Sequence, residues 1–453
     1  MLIAEELRND LRVIEAKRLL IAAVKAHQAK ITGVCPPIPS LQQSYEDLLL
    51  TFAQFRGAKL WFPFLGSGIG KGTLVELADG SIKYDFIGGI GVHYWGHSHE
   101  DLIASSIDAA LSDTIMQGNL QQNIDSVGLS ALLVQASKLD HCFLTSSGAM
   151  ANENALKIAF QKKFPAQRIL AFERCFVGRT LAVSQITDKA AYREGLPSNV
   201  LVDYIPYFNV LHPEESTANA INALKKLLHR YPKEYAVMCF EFVQGEGGFH
   251  QGTSAFFKAI MSILKDNNIA IFADEVQTFG RLPELFAFQY YGLEEFIDIV
   301  TIGKLSQVCA TLFRENYKPR PGLLSQTFTS STSAIKASQV IIKNLIHGNY
   351  YGPQGKIQQI NNYFTVHLER LSKKHPELIR GPFGIGCMIA FTPYDGEYLN
   401  VTDFVYRLFE AGVLSFIAGE NPTRVRFLVP AGAVTNEDID HVVNIIEKTL
   451  CKN

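Results

Sequence analysis

Two apolar runs in this chain end on charge. Ile269-Ala270-Ile271-Phe272-Ala273 stops at Asp274, and Ile299-Val300-Thr301-Ile302 stops at Gly303-Lys304. A carboxylate placed where an apolar strand leaves the interior requires a partner, because an isolated charge is costly to desolvate. An amine in the same kind of place can have its pKa lowered until it acts as a nucleophile. A third run, Cys142-Phe143-Leu144, passes through Thr145-Ser146-Ser147-Gly148-Ala149-Met150 into a helical pattern. Unpaired amides and the positive dipole end at such a helix start make a seat for phosphate. Each feature has a plainer reading by itself: small polar residues and Asp274 as helix caps, Lys304 as a solvated strand end. Together they describe a dianion seat, a buried carboxylate and a reactive amine facing one crevice, which is what pyridoxal phosphate requires.

The elements that must carry these residues follow from periodicity. From residue 105 to 335, short apolar runs alternate with amphipathic stretches such as Ala151 to Phe160, Thr217 to Leu228 and Ser254 to Leu264. That alternation predicts βα units around a mainly parallel sheet, with ligands collecting at the carboxyl ends of the strands. Residues 1–60 predict an N-terminal helical segment, with helices over 2–30 and 41–56 separated by the stiff Pro36-Pro37-Ile38-Pro39 loop. Residues 61–104, with a hairpin around Asp79-Gly80, and 336–453 predict the N- and C-terminal parts of a smaller α+β domain. The fold class expected is α/β with a large domain and a smaller α+β domain.

Composition narrows the function. The 453 residues are 47% hydrophobic and 19% charged, enough apolar mass for a folded core. Lys and Arg number 42 against 44 Asp and Glu, so no nucleic-acid or anionic-lipid footprint is present. Lys25 interrupts the apolar stretch Leu19 to Val24 well short of a membrane span. The start, Met1-Leu2-Ile3-Ala4-Glu5-Glu6, is acidic, and the seven cysteines are odd in number and without CxxC spacing. Both features predict a reducing, cytoplasmic setting without a disulfide framework.

The chain resembles the class III (ω-amino acid) aminotransferases of the fold-type I pyridoxal phosphate enzymes, from about residue 68 to 445. The resemblance rests on Phe272-Ala273-Asp274-Glu275-Val276-Gln277-Thr278 followed by Gly303-Lys304, and on four further runs. These are Ser147 to Glu153, Phe176-Val177-Gly178-Arg179-Thr180, Glu241 to Gly248, and Arg426-Phe427-Leu428-Val429-Pro430. Gly303-Lys304-Leu305-Ser306-Gln307-Val308-Cys309 is most similar to the lysine 6-aminotransferases.

The resemblance implies roles. Lys304 would hold the cofactor as a Schiff base and shuttle the substrate proton, and Asp274 would pair with the pyridine nitrogen. Gln277 would bond the ring's phenolic oxygen, Phe176 would stack on the ring, and Gly148 and Ala149 would bind its phosphate. Thr327 would be supplied by the neighbouring subunit of a homodimer. Arg179 and Arg426 would read substrate carboxylates, with Glu246 as the switch that neutralises or frees Arg426, and Tyr94 with Trp95 would line the substrate entrance. The activity implied moves the terminal amino group of a lysine-, ornithine- or 4-aminobutyrate-like donor to 2-oxoglutarate. An aminomutase or decarboxylase on the same fold, or a non-catalytic homologue, are the alternatives.

Four departures from the family pattern lie near the expected site. Phe242 replaces a proline and is expected to reshape the pocket. The loop Thr278-Phe279-Gly280-Arg281 is one residue short, Thr329-Ser330-Ser331 replaces a Gly-Gly-Asn, and Val177 stands where histidine is common. Two other signals are set aside. Gly66 to Thr73 lacks the Ser or Thr that must follow a P-loop lysine and is expected to be a flexible loop. His93, His97 and His99 fit no zinc spacing and have no carboxylate or cysteine to complete a site, so no metal is expected.

Overall fold

The computed structural model describes residues 2–113 and 118–452. They form two compact units: one runs up to Ser112, resumes over Ile360–Pro382 and continues from Ile389, and the other takes Asp113–Gln359 and Phe383–Met388.

The second unit is built on a seven-stranded sheet. Its order is His141–Thr145, Cys309–Phe313, Ile299–Ile302, Ala270–Asp274, Tyr235–Phe240, Arg168–Phe172 and Leu201–Ile205. Cys309–Phe313 is antiparallel to both of its neighbours. The remaining pairs are parallel. Residues of Tyr235–Phe240, Ala270–Asp274 and Ile299–Ile302 are buried throughout, as expected for strands covered on both faces by crossover helices. The Gly148–Lys163 helix contributes Ala155, Ile158 and Ala159 to a core that includes Ile169, Val237 and Phe272.

The departures find their explanations here. Phe242 does not shape a pocket: it is fully buried, stacked on Tyr291 at 5.3 Å and edge-on to Phe257 at 4.9 Å. Its size belongs to an aromatic cluster with Phe240, Phe257 and Tyr291. In the shortened loop, Gly280 adopts a φ of 74° while its amide reaches the Leu285 carbonyl, and Phe279 packs on Phe286. A Cβ at Gly280 would come within 2.8 Å of Leu305, so a glycine is required twice over. Ser331, in the place of the asparagine, caps the Thr332–His347 helix by accepting the Ala334 amide, a role that either residue fills.

In the first unit, the N-terminal helices are Ile3–Asn9, Leu11–Gln28 and Pro39–Arg56. The expected helix over 2–30 is broken at Asp10, whose carboxylate accepts the Arg12 amide and starts a new helix. The segment is fastened by Gln28, which donates to the Gly70 carbonyl at 2.7 Å, and by Lys17 paired with Asp108 at 2.8 Å. Two four-stranded sheets and the helices Tyr398–Glu410 and Asn436–Leu450 complete the α+β layers.

Two expectations need correction in this unit. Gly66–Lys71 is a strand antiparallel to Leu74–Leu77, not a flexible loop. Its glycines serve close packing: a Cβ on Gly70 would lie 2.4 Å from that of His97. The histidine run does have a carboxylate, since Asp85 Oδ2 sits 2.9 Å from His97 Nε2. Asp85 also accepts the Gly88 amide at 2.7 Å, so it acts as a turn cap. Among the described residues, no group of three His, Cys, Asp or Glu is arranged to hold a metal ion. Nor is any described helix long and apolar enough to cross a membrane.

Candidate active site

The carboxyl ends of the central strands and the loops after them enclose a cavity of about 280 Å³, and all of its lining residues belong to the second unit. Asp274 enters it from the end of Ala270–Asp274, Glu241 from just beyond Tyr235–Phe240, and Lys304 from the turn that follows Ile299–Ile302.

Asp274 is buried and held on both oxygens. Oδ1 accepts the Val276 amide at 3.0 Å, and Oδ2 accepts the Asn152 side-chain amide at 2.6 Å. Asn152 also donates to the Val177 carbonyl at 2.6 Å and accepts from Thr301 at 2.7 Å, which uses both of its N–H donors and engages its oxygen. Burial pushes the Asp274 carboxyl up to about 6, against the lowering influence of Val276, Asn152, Lys304 and Thr301. Such a group gains most from a cationic partner brought into the cavity.

Lys304 has a left-handed backbone, φ 56°, which for a residue with a Cβ is a strained conformation costing about 1–3 kcal/mol. Gly303 precedes it because a Cβ there would lie 2.8 Å from the Cys309 sulfur. The Cys309 thiol is pushed up to about 11, chiefly by burial, so it is inert as a nucleophile.

Just beyond the end of His141–Thr145, the Gly148–Lys163 helix begins at the cavity. Its cap, Ser147, accepts the Met150 amide at 3.2 Å. Gly148 and Ala149 line the cavity in the first turn, where amides have no intrahelical acceptor. The space is tight: a Cβ on Gly148 would come within 2.9 Å of Val276, and one on Gly178 within 3.0 Å of the Ala149 Cβ.

Phe176, Arg179 and Gln277 also line the cavity. The Arg179 guanidinium lies 3.8 Å over the Tyr192 ring, a cation–π contact that fixes its plane. Val177 contributes through its backbone, its amide reaching the Thr187 hydroxyl at 2.9 Å. A histidine side chain is not needed for that contact. Glu246 is half-buried in the turn between Val243–Gln244 and His250–Gln251. Thr327 is exposed and is not among the cavity-lining residues of its own chain. Tyr94 and Arg426 belong to the first unit. Tyr94 and Trp95 are buried there, and Arg426 is buried in Arg424–Leu428 with its guanidinium 5.5 Å from the Phe416 ring centre.

Asn152, Thr187, Thr301 and Glu241 complete the cavity's polar framework without having been singled out in the sequence. For Glu241 the signal was present, since it closes an apolar run as Asp274 does. For Asn152 it was absent, because a polar residue inside a helix has no local mark of facing inward.

This donor set fits pyridoxal phosphate. Helix amides suit a phosphate, a buried carboxylate suits a protonated ring nitrogen, and a primary amine on the same cavity suits an aldehyde.

The aminotransferase class-III family model matches residues 66–450. The acetylornithine aminotransferase of Methanocaldococcus jannaschii is 32% identical over 397 residues, covering 84% of this chain and 92% of its own. Among solved structures, a lysine aminotransferase from M. tuberculosis aligns with a TM-score of 0.78 at 20% identity, over 88% of this chain and 98% of its own. An ornithine aminotransferase from Toxoplasma gondii gives a TM-score of 0.78 at 22% identity, over 90% and 94%. At those identities the likeness establishes the fold. Residues 1–65 lie outside the family match.

Proposed function

The chain belongs to the class III aminotransferases, which depend on pyridoxal phosphate, and from that premise we propose that it moves a terminal amino group from a lysine-, ornithine-, acetylornithine- or 4-aminobutyrate-like donor to 2-oxoglutarate. The observation that carries this reading is the meeting of Asp274, Lys304 and the Gly148–Ala149 helix start on one cavity.

When bound, the cofactor supplies the electron sink that makes the substrate C–H bond acidic. Gly148 and Ala149 bind its phosphate through their amides. Asp274 keeps a proton on the ring nitrogen, Gln277 orients the phenolic oxygen, and Phe176 covers one face. Lys304 Nζ would be the point of attachment and, when its amine is free, the base that accepts the proton lost by the substrate carbon. Arg179 and Arg426 are the candidate bidentate forks for substrate carboxylates, and Glu246 is the candidate switch between amine and dicarboxylic substrates. The exposed position of Thr327 supports a homodimer in which each copy completes the phosphate seat of the other.

Borohydride reduction of the protein with pyridoxal phosphate should leave a pyridoxyl group on the peptide containing Lys304, read by mass spectrometry, and Lys304→Ala should abolish both labelling and turnover. Glutamate formed from 2-oxoglutarate with a panel of ω-amines identifies the donor. A protein that takes up no label and yields no glutamate with any donor would refute the proposal.

A further inference from the structure

Glu241 occupies the position beside Asp274's strand that mirrors Asp274 itself: Tyr235–Phe240 and Ala270–Asp274 are parallel neighbours, and each run delivers a carboxyl to the cavity. None of the roles assigned above falls on it. Its oxygens are divided between two loops. Oε1 accepts the Phe176 amide at 3.0 Å, and Oε2 accepts the Gly245 amide at 2.9 Å. The first loop carries Phe176 and Arg179. The second carries Glu246, and Gly245 approaches the Gln277 side chain so closely that a Cβ would lie 2.4 Å from Gln277 Oε1. Glu241 is itself 6% exposed, so losing either bond is costly for the amide left behind.

This bridging geometry is specific to glutamate. A glutamine presents one acceptor and turns an N–H₂ toward the other amide, setting donor against donor, and an aspartate is a methylene too short to span both loops. We propose that Glu241 is a positioning residue whose carboxyl ties the Phe176 loop to the Gly245 loop, so that the ring-stacking side chain, Gln277 and Glu246 are set as one unit. The consequence for catalysis rests on the cofactor reading of the cavity. The tie between the loops does not.

The test uses the full chain and its Glu241→Gln and Glu241→Asp variants. Before any cofactor is added, amide exchange at Phe176 and Gly245 should be protected in the wild type and faster by about tenfold at one or both positions in the glutamine variant. With pyridoxal phosphate added, its Kd should rise about tenfold, and the KM values for amine donor and for 2-oxoglutarate should change unequally, because Glu246 serves the two half-reactions differently. Wild-type exchange at both amides as fast as in an unstructured peptide would overturn the proposal without any variant needing to fold. So would a glutamine variant whose two amides, cofactor Kd and KM ratio all stay within about twofold of wild type, or one that loosens the whole Tyr235–Phe240 strand equally. If wild-type protein shows the protected amides but binds no pyridoxal phosphate, the cofactor reading fails while the tie stands.

Discussion

Asn152 joins two neighbouring strand ends, donating to Asp274 Oδ2 at 2.6 Å while accepting the Thr301 hydroxyl at 2.7 Å. Since Asp274 pairs in register with Thr301, the asparagine locks a carboxylate and its neighbour at one height in the sheet. Removing it with Asn152→Ala leaves the Val177 carbonyl and the Thr301 hydroxyl without that partner and raises the Asp274 pKa further. A loss of about 1–3 kcal/mol in stability and a rise of about tenfold in the pyridoxal phosphate Kd are expected. Thermal melts and an absorbance titration check them, and an unchanged Kd would mean that Asp274 does not meet the ring nitrogen.

Buried carboxyls in and beside the cavity also predict a pH dependence. Asp274, Glu275 and Glu241 are pushed up to about 6, about 7 and about 8, in each case chiefly by burial. In the unfolded chain these acids titrate near 4, so the folded protein holds more protons between about pH 4 and 8. Their contribution to stability is therefore full below about pH 4 and is lost as pH rises through the folded values. Cofactor-free protein should melt at progressively lower temperature from about pH 5 to 8.5, and saturating pyridoxal phosphate should flatten the slope by giving Asp274 a cationic partner. A cofactor-free melting temperature that rises over this range would contradict the burial of these groups as neutral acids.

Phe242 separates core from pocket. With its ring stacked on Tyr291 and fully buried, Phe242→Ala should cost about 3–5 kcal/mol in chemical denaturation, yet leave the cofactor Kd within about twofold in the folded fraction. A change in donor preference with full stability would return Phe242 to the substrate pocket.

Thr327 tests the sharing of sites. If it serves the neighbouring copy, then Lys304→Ala and Thr327→Trp chains, each inactive, should regain activity when refolded together. Random pairing makes half of the dimers mixed, each with one intact site, so recovery approaches about 25% of wild type. Mixtures that stay inactive would place Thr327 outside the partner's cavity.

Parts of this arrangement were legible in the chain itself. Asp274 and Lys304 stand out because charge at the end of an apolar run is costly unless it is used, and that cost is visible without coordinates. The sheet-forming runs are equally visible, as strands buried on both faces must be continuously apolar. Gly66–Lys71 misled for a definable reason. Glycine permits both flexibility and close packing, and only the neighbour at His97 shows which applies. Phe242 misled because its place in a motif says nothing about which way its ring points.

What the sequence by itself determined was the type of each element and the chemical character of the strand ends, since both depend on local period and on desolvation. Only the tertiary structure decided which ends share a cavity. The Asn152 amide and Asp274 are 122 residues apart, Glu241 and the Phe176 amide 65, and no local pattern encodes such pairings. They arise because parallel strands need long crossovers, which set the same end of every strand side by side and bring residues remote in the chain to one surface.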